Sequence, residues 1–420
     1  MFSLFKLIRN FVINILVFVV NIFIKRNNKV ILFGSWMGDR FADNSRFLFQ
    51  YLNDNKAHYC IEHIVWVTDN EALLKELRAF NYDVYLKNSL RGIYWHLKAG
   101  VHIVCNKYAS DGKYKGDIIG ELSAGSIKIQ LWHGVAIKAC GKLTQSYQAL
   151  YKTKLGKIRI LLSSRSFFGR SIFTPGCWNK RYHLCTSNEN ARVAIEDYDV
   201  LEDHIILSNY PRLNDDVVKL LEVEKKTINS LTIKKSHYSN IILYCPTFRN
   251  IAQSESRYIN PLSSETFLKF LEANNLLWVE KRHAVSKYSF EMAPSNNVFF
   301  IESNFDISLL YKFVDLAITD FSSAASDCVY RGIKVLSYIP DFDEYKTNDR
   351  GFVAPYSCYY PGDIATSLKE LEKGIITAFS PSYFSDERRE RYNHCREFLF
   401  EGHSNSLDEI IKAIFNSIHI

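Results

Sequence analysis

Short apolar runs alternate with helical patterns from Lys29 to the end of the 420-residue chain, and this alternation restricts the fold more than any other feature. A first series of strands is predicted at 30–35, 64–68, 83–86, 101–105, 127–132, 182–186 and 204–207. A second series is predicted at 241–245, 276–280, 298–301, 315–319 and 334–338. Apolar strands separated by helices form parallel sheets with helices on both faces. The two series therefore predict an α/β protein with two Rossmann-like halves.

A domain boundary is predicted near 205–240, where the stretch LEVEKKTINSLTIKKSHYSN between the two series is polar and charged. The predicted organisation is an N-terminal helix at 1–28, Rossmann-like domains at 29–205 and 206–380, and C-terminal helices at 381–420 that pack across the domains. Helices are predicted near the end at 364–371, 386–400 and 407–418. Ligands of such sheets bind at the carboxyl ends of the strands, so candidate residues are expected directly after each strand.

The N-terminal segment contains an uncharged run at 10–24 with basic residues on both sides. As a helix this run is about 22 Å long, shorter than the ~30 Å hydrocarbon core of a bilayer. We interpret it as a helix that lies in the membrane interface, with its basic flanks on anionic lipid. A buried amphipathic helix of the fold is the alternative, and a short signal anchor fits less well.

Composition and missing motifs exclude several classes of protein. The net charge of 52 − 45 = +7 favours an anionic partner such as phosphate, nucleic acid or a membrane surface. Nine cysteines without a CxxC pair indicate reduced thiols rather than a zinc site or a disulfide framework. The chain has no GxxxxGK[ST] loop, GxGxxG after the first strand, GxSxG elbow or HExxH helix. These absences argue against an ATPase, a dehydrogenase, a hydrolase and a zinc protease.

The segment Trp132-His133-Gly134 follows the apolar run IKIQL. A histidine at the carboxyl end of a strand, beside a glycine that permits close approach, is well placed to act as a general base. Lys138 and Lys142 follow and could attract an anion. A structural histidine at the exit of a strand is the alternative.

Four further segments place polar or charged residues after predicted strands. Thr247 and Arg249 follow one strand, and Lys281-Arg282-His283 follows the next. Ser322 and Ser323 open a helix, where unpaired backbone N–H groups favour an anion. Ordinary surface turns and a helix cap are the alternatives for these three segments. Asp341 and Asp343 match the Asp-x-Asp pattern of some metal-dependent transferases, as do Asp197 and Asp199, and a solvated acidic loop explains both pairs better.

Taken in order, these segments resemble the CDP-glycerol:poly(glycerophosphate) glycerophosphotransferases, which build teichoic acids and related phosphodiester capsules. The resemblance extends from about Val30 to Phe352 and rests on ILFGSWMGDRFADNSRFLFQYL, IVWVTDN, LWHGVAIKACGK, SNYPRLND, LYCPTFRN, EKRH, ITDFSSAASDCVYRGIKVLSY and DFDEYKTNDRGF. It implies a GT-B-like fold, in which two Rossmann-like domains face a cleft. The first domain would then bind the acceptor and the second the CDP-alditol donor.

The resemblance also implies roles for individual residues. His133 matches the family's proposed general base, and His283 matches its second catalytic histidine, at the donor phosphates. The family often has Lys-Pro-His-Pro there, whereas this chain has Lys281-Arg282-His283-Ala284, so its loop is expected to differ in shape. The other matched substrate-binding positions are Thr247, Arg249, Lys281, Ser322, Ser323, Asp327 and Arg350.

The function implied is transfer of an alditol phosphate, glycerol phosphate above all, from a CDP-alditol to a hydroxyl of a lipid-linked or polymeric acceptor, with release of CMP. No cofactor or metal is expected to be required, although a divalent cation could assist. The expected location is the cytoplasmic face of the cell membrane, as a peripheral protein in contact with anionic lipid. CDP-glycerol versus CDP-ribitol, teichoic acid versus capsule, one added unit versus many, and the oligomeric state stay open.

Two alternatives are a GT-B glycosyltransferase that uses a nucleotide sugar, and a non-catalytic membrane-associated binding protein. Donor choice separates the first from an alditol-phosphate transferase. A nucleic-acid partner is not expected, because the basic residues are dispersed along the chain instead of clustered with stacking aromatics.

Overall fold

The computed structural model describes residues 4–110, 115–144, 180–198, 200–214, 218–247, 259–281, 295–343 and 351–419, with isolated positions between 148 and 176. The chain divides into two compact units. The N-terminal unit comprises Met1–His133, Gly141–Lys219 and His403–Ile420. The C-terminal unit comprises Gly134–Cys140 and Leu220–Gly402.

The N-terminal unit contains a parallel sheet of seven strands in the order β3-β2-β1-β4-β5-β6-β7. Its strands are β1 (Asn27–Phe33), β2 (His63–Thr68), β3 (Asp83–Leu86), β4 (Ala99–Val104), β5 (Ile127–Gln130), β6 (Arg181–Cys185) and β7 (Ile205–Leu207). Its first helices are α1 (Leu4–Phe23), α2 (Asp43–Asp54), α3 (Glu71–Ala79), α4 (Leu90–Lys98) and α5 (Asn188–Tyr198). The predicted first series of strands is confirmed, with ends that differ by at most three residues.

Aromatic side chains fill the space between this sheet and α2. Phe33, Phe49 and Trp66 are completely buried. Phe41 packs edge-on against Trp66 with 4.6 Å between ring centroids, and Tyr82 meets Phe49 at 5.1 Å. Edge-to-face rings are a favourable arrangement for large apolar side chains, so this cluster accounts for part of the aromatic content.

The C-terminal unit contains a parallel sheet of six strands in the order β10-β9-β8-β11-β12-β13. Its strands are β8 (Asn240–Cys245), β9 (Leu276–Lys281), β10 (Val298–Ile301), β11 (Leu316–Thr319), β12 (Lys334–Tyr338) and β13 (Asp363–Ala365). Its helices are α6 (Glu222–Lys235), α7 (Glu265–Ala273), α8 (Ala324–Tyr330), α9 (Leu368–Phe379) and α10 (Asp386–Phe400). Two parallel sheets are therefore present, as predicted.

The last helix, α11 (Leu407–Ile418), belongs to the N-terminal unit although it follows the C-terminal unit in sequence. Side-chain amides hold the segment before α11 on this unit. Asn209 donates to the carbonyl of His403 at 3.2 Å, and Asn405 donates to the carbonyl of Leu213 at 3.2 Å. The change from one unit to the other lies at Lys219 and Leu220, where the sequence interpretation used 205 and 206.

One local prediction was wrong, and one helix was not predicted. The polar stretch at the predicted domain boundary forms α6, of which Glu224, Ile228 and Leu231 are buried. With so few apolar positions the helical period is weak in the sequence, and packing against the unit decides the structure. The helix predicted at 364–371 begins instead as strand β13, which pairs with β12 at the edge of the sheet. Helix α9 then starts after Ser367, whose side chain accepts the N–H of Glu370.

Helix α1 packs on the protein with a mixed face of asparagines and apolar residues and turns most of its apolar residues outward. Asn10, Asn14 and Val17 are buried, and the amide of Asn21 donates to the carbonyl of Ala124. The outward side chains include Leu16, 57% exposed, and Phe23, 82% exposed. An ordinary surface helix of a soluble protein exposes mainly polar side chains. Among the described residues, no helix has the length and apolar character needed to span a bilayer.

Arg26, the basic residue after α1, binds backbone carbonyls of the protein instead of lying exposed beside the helix. Its guanidinium donates to the carbonyls of Ala124, His96, Ala99 and Leu122 at 2.7–2.9 Å. Burial lowers the pKa of Arg26 to about 10. Arg26 is thus not available to lipid, contrary to the sequence interpretation of the basic flanks.

Two buried histidines, His96 and His102, make the fold sensitive to acid. His96 accepts the N–H of Ile119 through Nε2 at 3.0 Å, and its Nδ1 donates to the carbonyl of Gly92 at 2.7 Å, so the ring is neutral. Burial lowers the pKa of His96 to about 4 and lowers that of His102 well below its ordinary value. An unfolded histidine titrates at about 6.5. Both rings therefore oppose folding only below that pH.

We expect the free energy of unfolding to be constant with respect to these groups above about pH 6.5 and to fall by ~1.4 kcal/mol per pH unit and histidine as pH drops towards 4. Urea titrations at pH 7.5, 6 and 5 measure this slope. The variant His96→Gln should show a shallower slope than the wild type. Equal slopes for the two proteins would contradict the assignment.

Candidate active site

Three neighbouring strands of the N-terminal unit bring the residues around His133 together. Strands β1, β4 and β5 are adjacent in the sheet, and their carboxyl ends lead into Trp36, Cys105 and His133 respectively. The carboxyl edge of a parallel sheet is where such folds bind ligands. His133 is exposed there, and its ring lies 5.6 Å from the ring of Trp36, centroid to centroid.

The orientation of His133 is set by backbone groups. Its Nδ1 lies 3.2 Å from the carbonyl oxygen of Cys105. A carbonyl only accepts hydrogen bonds, so this contact requires the proton on Nδ1 and, in the neutral ring, leaves the lone pair on Nε2. An exposed imidazole with an unprotonated Nε2 has the chemistry of a general base.

The backbone directly before His133 is strained, because Trp132 has φ +60°, an uncommon value for a bulky residue. Gly134, directly after it, has φ +155°, which glycine adopts without steric cost. Gln130 accepts the N–H of Trp132 at 3.2 Å, and the amide of Asn44 donates to the carbonyl of Trp132 at 2.8 Å. Side-chain hydrogen bonds thus hold the turn that exposes the histidine. Strain of this kind is concentrated at functional sites.

Asn44 belongs to a polar network to which no role was assigned from sequence. The carboxylate of Asp43 accepts the guanidinium of Arg212 at 2.6 Å and the indole N–H of Trp36 at 3.2 Å. The side-chain oxygen of Asn44 accepts the backbone N–H of Arg212 at 3.1 Å. Asp43, with φ +66°, and Arg212 are both buried. The polar segments ADNS and NYPRLND are the sequence features that could have indicated this network, but they lie far apart in the sequence.

The buried pair of Asp43 and Arg212 should be strongly coupled in stability. Arg212→Met leaves the Asp43 charge buried without its guanidinium partner, and loss of one member of such a pair costs about 3–5 kcal/mol. We expect the free energy of unfolding, measured by urea titration, to fall by about this amount. The double variant D43N/R212M should be more stable than the sum of the two single changes predicts. Additive single changes would contradict the coupling.

The C-terminal unit presents a second set of polar residues at the carboxyl edge of its sheet. Strands β9, β8 and β11 are adjacent and end at Lys281, Cys245 and Thr319. The carboxylate of Asp320 accepts both the N–H of Thr247, at 2.9 Å, and its hydroxyl, at 2.6 Å. These two hydrogen bonds join the chain after β8 to the chain after β11. The Thr247 hydroxyl has only one hydrogen to donate, and Asp320 accepts it.

The remaining donor-side candidates differ in their surroundings. Ser322 and Ser323 are half-buried before α8, and the carbonyl of Ser322 accepts the hydroxyl of Tyr360 at 3.0 Å. Lys281 is half-buried at the end of β9. Asp327 is buried within α8 and accepts the hydroxyl of Tyr311 at 3.2 Å, an internal contact of the unit. The predicted residues Arg249, His283 and Arg350 lie outside the described residues.

The segment that follows His133 joins the C-terminal unit. Lys138 forms an antiparallel bridge with Phe352, and the N–H of Val353 donates to the carbonyl of Ile137 at 3.1 Å. The chain immediately after Arg350 is thereby anchored to the chain that follows Trp132-His133-Gly134. These two segments, about 215 residues apart in sequence, meet in one unit.

The acidic patterns do not form a metal site in the described part of the chain, which contains no group of three His, Cys, Asp or Glu side chains able to hold an ion. Asp197 has a structural contact instead, since its carboxylate accepts the N–H groups of Gly141 at 2.8 Å and Leu143 at 2.9 Å. Asp341 is buried and Asp343 is exposed. Asp199, the second residue of the other Asp-x-Asp pattern, lies outside the described residues.

Comparison with known proteins agrees with this architecture. A teichoic acid poly(glycerol phosphate) polymerase of Bacillus spizizenii is 28% identical over 382 residues, 86% of each chain. A teichoic acid glycerol-phosphate transferase of Staphylococcus aureus is 22% identical and covers 89% of this chain and 88% of its own. The structure of the wall teichoic acid polymerase TagF aligns over the whole of both chains with a TM-score of 0.64 and 16% identity.

The two parallel sheets and the likeness to TagF define a GT-B-like fold with two Rossmann-like domains. A model of the family CDP-Glycerol:Poly(glycerophosphate) glycerophosphotransferase matches residues 16–416, and the chain belongs to this family. The family, the fold class and the glycerophosphotransferase activity predicted from sequence are thereby confirmed. Neither the sugar-transferase alternative nor the binding-protein alternative is supported. The chain is an enzyme of bacterial cell-envelope synthesis.

Proposed function

We propose that this chain transfers glycerol phosphate from CDP-glycerol to a terminal hydroxyl of a teichoic acid chain or its lipid-linked precursor. In this reaction the acceptor oxygen attacks the phosphorus that carries glycerol, His133 Nε2 takes the proton of the hydroxyl, and the bond to the CMP oxygen breaks. CMP leaves with the electron pair of that bond. The observation that carries the proposal is the exposed His133, whose Nδ1 contacts a carbonyl and whose Nε2 is left as an acceptor.

The donor diphosphate is assigned to the carboxyl edge of the C-terminal sheet. Lys281, Ser322 and Ser323 offer an ammonium group and two hydroxyls there. In the proposal, Arg249, His283 and Arg350 add positive charge to the diphosphate. Thr247 and Asp327 contribute through the loops and helix that they hold, since their side chains are engaged with Asp320 and Tyr311. With this many cationic groups, the transfer is proposed to need no cofactor, and a divalent cation would only assist.

We expect His133→Ala to lower kcat by roughly 10²–10⁴-fold, the usual contribution of a positioned base, with little change in thermal stability because the side chain is exposed. Products can be followed by mass spectrometry with a lipid-linked acceptor and a panel of CDP-glycerol, CDP-ribitol and UDP-sugars, each with and without EDTA. CDP-glycerol should be the preferred donor under both conditions.

The matched control is His394→Ala, which removes an exposed histidine from α10 in the other unit and should leave kcat unchanged. Near-normal turnover of His133→Ala would refute the base assignment. Preference for a UDP-sugar would refute the proposed donor.

We further propose that the protein is peripheral on the cytoplasmic face of the membrane, with the outward face of α1 in the interface of an anionic bilayer. This outward face is the set of exposed side chains Ile8, Phe11, Val12, Ile15, Leu16, Val19, Val20, Ile22 and Phe23. Their exposure, opposite an inward face that includes Asn10 and Asn14, supports the assignment because a helix in the interface buries its apolar side in lipid. Lys25 is exposed at the end of the helix and would contact lipid phosphate.

The double variant L16E/F23E should lower binding to vesicles containing phosphatidylglycerol by well over 10-fold, since burial of one such side chain contributes about 1.5–3 kcal/mol. Co-sedimentation with vesicles measures the bound fraction. The control Ile233→Glu changes an exposed apolar residue on α6, 63% exposed, and should bind as the wild type does. Equal binding of all three proteins would exclude α1 as the membrane contact.

A further inference from the structure

The peptide unit between Cys105 and Asn106 has hydrogen-bond partners on both of its sides. Its carbonyl faces Nδ1 of His133 at 3.2 Å. Its N–H, that of Asn106, donates to Oδ2 of Asp117 at 2.8 Å. In a trans peptide the C=O and N–H point in opposite directions, and the described chain has no cis peptide bond. The imidazole, the peptide and the carboxylate thus form one chain of hydrogen bonds.

Asp117 is completely buried and is surrounded by donors. Oδ2 also accepts the N–H of Cys105 at 3.2 Å, and Oδ1 accepts that of Met37 at 2.7 Å. Burial raises the pKa of this carboxyl, and the backbone N–H groups of Met37 and Asn106 oppose the rise. All three of these hydrogen bonds place an N–H against the carboxylate, which is the pattern that suits its ionised form.

The same carboxylate joins the ends of two strands. Met37 lies in the turn after β1, and Cys105 and Asn106 directly follow β4. Trp36, next to Met37, packs on the ring of His133. One buried side chain therefore holds both the ring neighbour of the histidine and the carbonyl that its Nδ1 contacts.

We propose that Asp117 is a positioning residue that orients His133 and fixes its tautomer through the Cys105–Asn106 peptide. The carboxylate polarises the peptide N–H, and hydrogen bonds in a chain strengthen one another, so the Cys105 carbonyl becomes a stronger acceptor for Nδ1–H. The carboxylate thus acts on the histidine as in a directly paired carboxylate and histidine, except that one peptide group lies between them. This inference rests on the proposed role of His133 as the base.

The substitution Asp117→Asn tests the link. Asparagine keeps the shape but replaces charge-assisted hydrogen bonds by weaker neutral ones and turns an N–H₂ group towards one of the backbone donors. We expect kcat to fall at least about 10-fold, the scale on which the outer partners of a functional histidine act, while KM for CDP-glycerol changes less than about two-fold. In the His133→Ala background, D117N should cause no further loss of kcat.

The matched control is Asp315→Asn, because Asp315 also accepts a backbone N–H, that of Ile241 at 2.8 Å, but at the start of β8. It should leave kcat unchanged even if the thermal midpoint falls. A purely structural role for Asp117 would give the same pattern as this control, and that result would overturn the inference. Equal kcat loss from D117N with and without His133 would overturn it as well.

The tautomer can be measured without any activity. In protein labelled with ¹⁵N-histidine, the signals of His133 are those absent from His133→Ala, and their shifts distinguish Nδ1–H from Nε2–H. The wild type should show Nδ1–H, and D117N should show a mixture. An Nε2–H signal in the wild type would overturn the inference even if D117N does not fold. The base assignment is tested separately, because near-normal turnover by His133→Ala would refute it whatever the tautomer of His133 is.

Discussion

Parallel pairing of strands is the constraint on which the rest of this molecule depends. It requires a crossover between successive strands, so helices cover the sheets, and it aligns the carboxyl ends of all strands along one edge. In the N-terminal unit that edge collects residues after β1, β4 and β5, and in the C-terminal unit those after β8, β9 and β11. Residues far apart in the sequence become neighbours because their strands are neighbours.

Loops at such an edge leave backbone N–H groups without ladder partners, and buried aspartates accept them in both units. Asp117 accepts three in the N-terminal unit, and Asp320 accepts those of Thr247 and Phe321 in the C-terminal unit. Each carboxylate ties one strand end to another. A buried carboxylate is stable only when its lone pairs are satisfied, so Asp117 and Asp320 hold the backbone N–H groups that they accept. Backbone held in this way can present a side chain in one orientation.

The charge and aromatic content of the chain also have structural explanations. Part of the positive charge is internal, since Arg26 binds four carbonyls and Arg212 binds Asp43. Several aromatic rings form the core beneath β1 and β2, whereas Phe11 and Phe23 lie outward on α1. The net charge does not distinguish internal from exposed basic residues, and the aromatic fraction does not distinguish core from outward-facing rings. Both quantities are sums over the whole chain.

The sequence by itself determined the two β-α series, most strand positions and the family, because these depend on local apolar runs and on contiguous motifs. It did not reveal α6 or β13, whose structures depend on packing and on an edge strand partner. Only the tertiary structure decided that Asn10 and Asn14 face inward, that Thr247 is bound by Asp320, and that Asp117 lies behind His133. Those relations join residues brought together by strand order, and strand order is set by the energy of the whole sheet rather than by any local pattern.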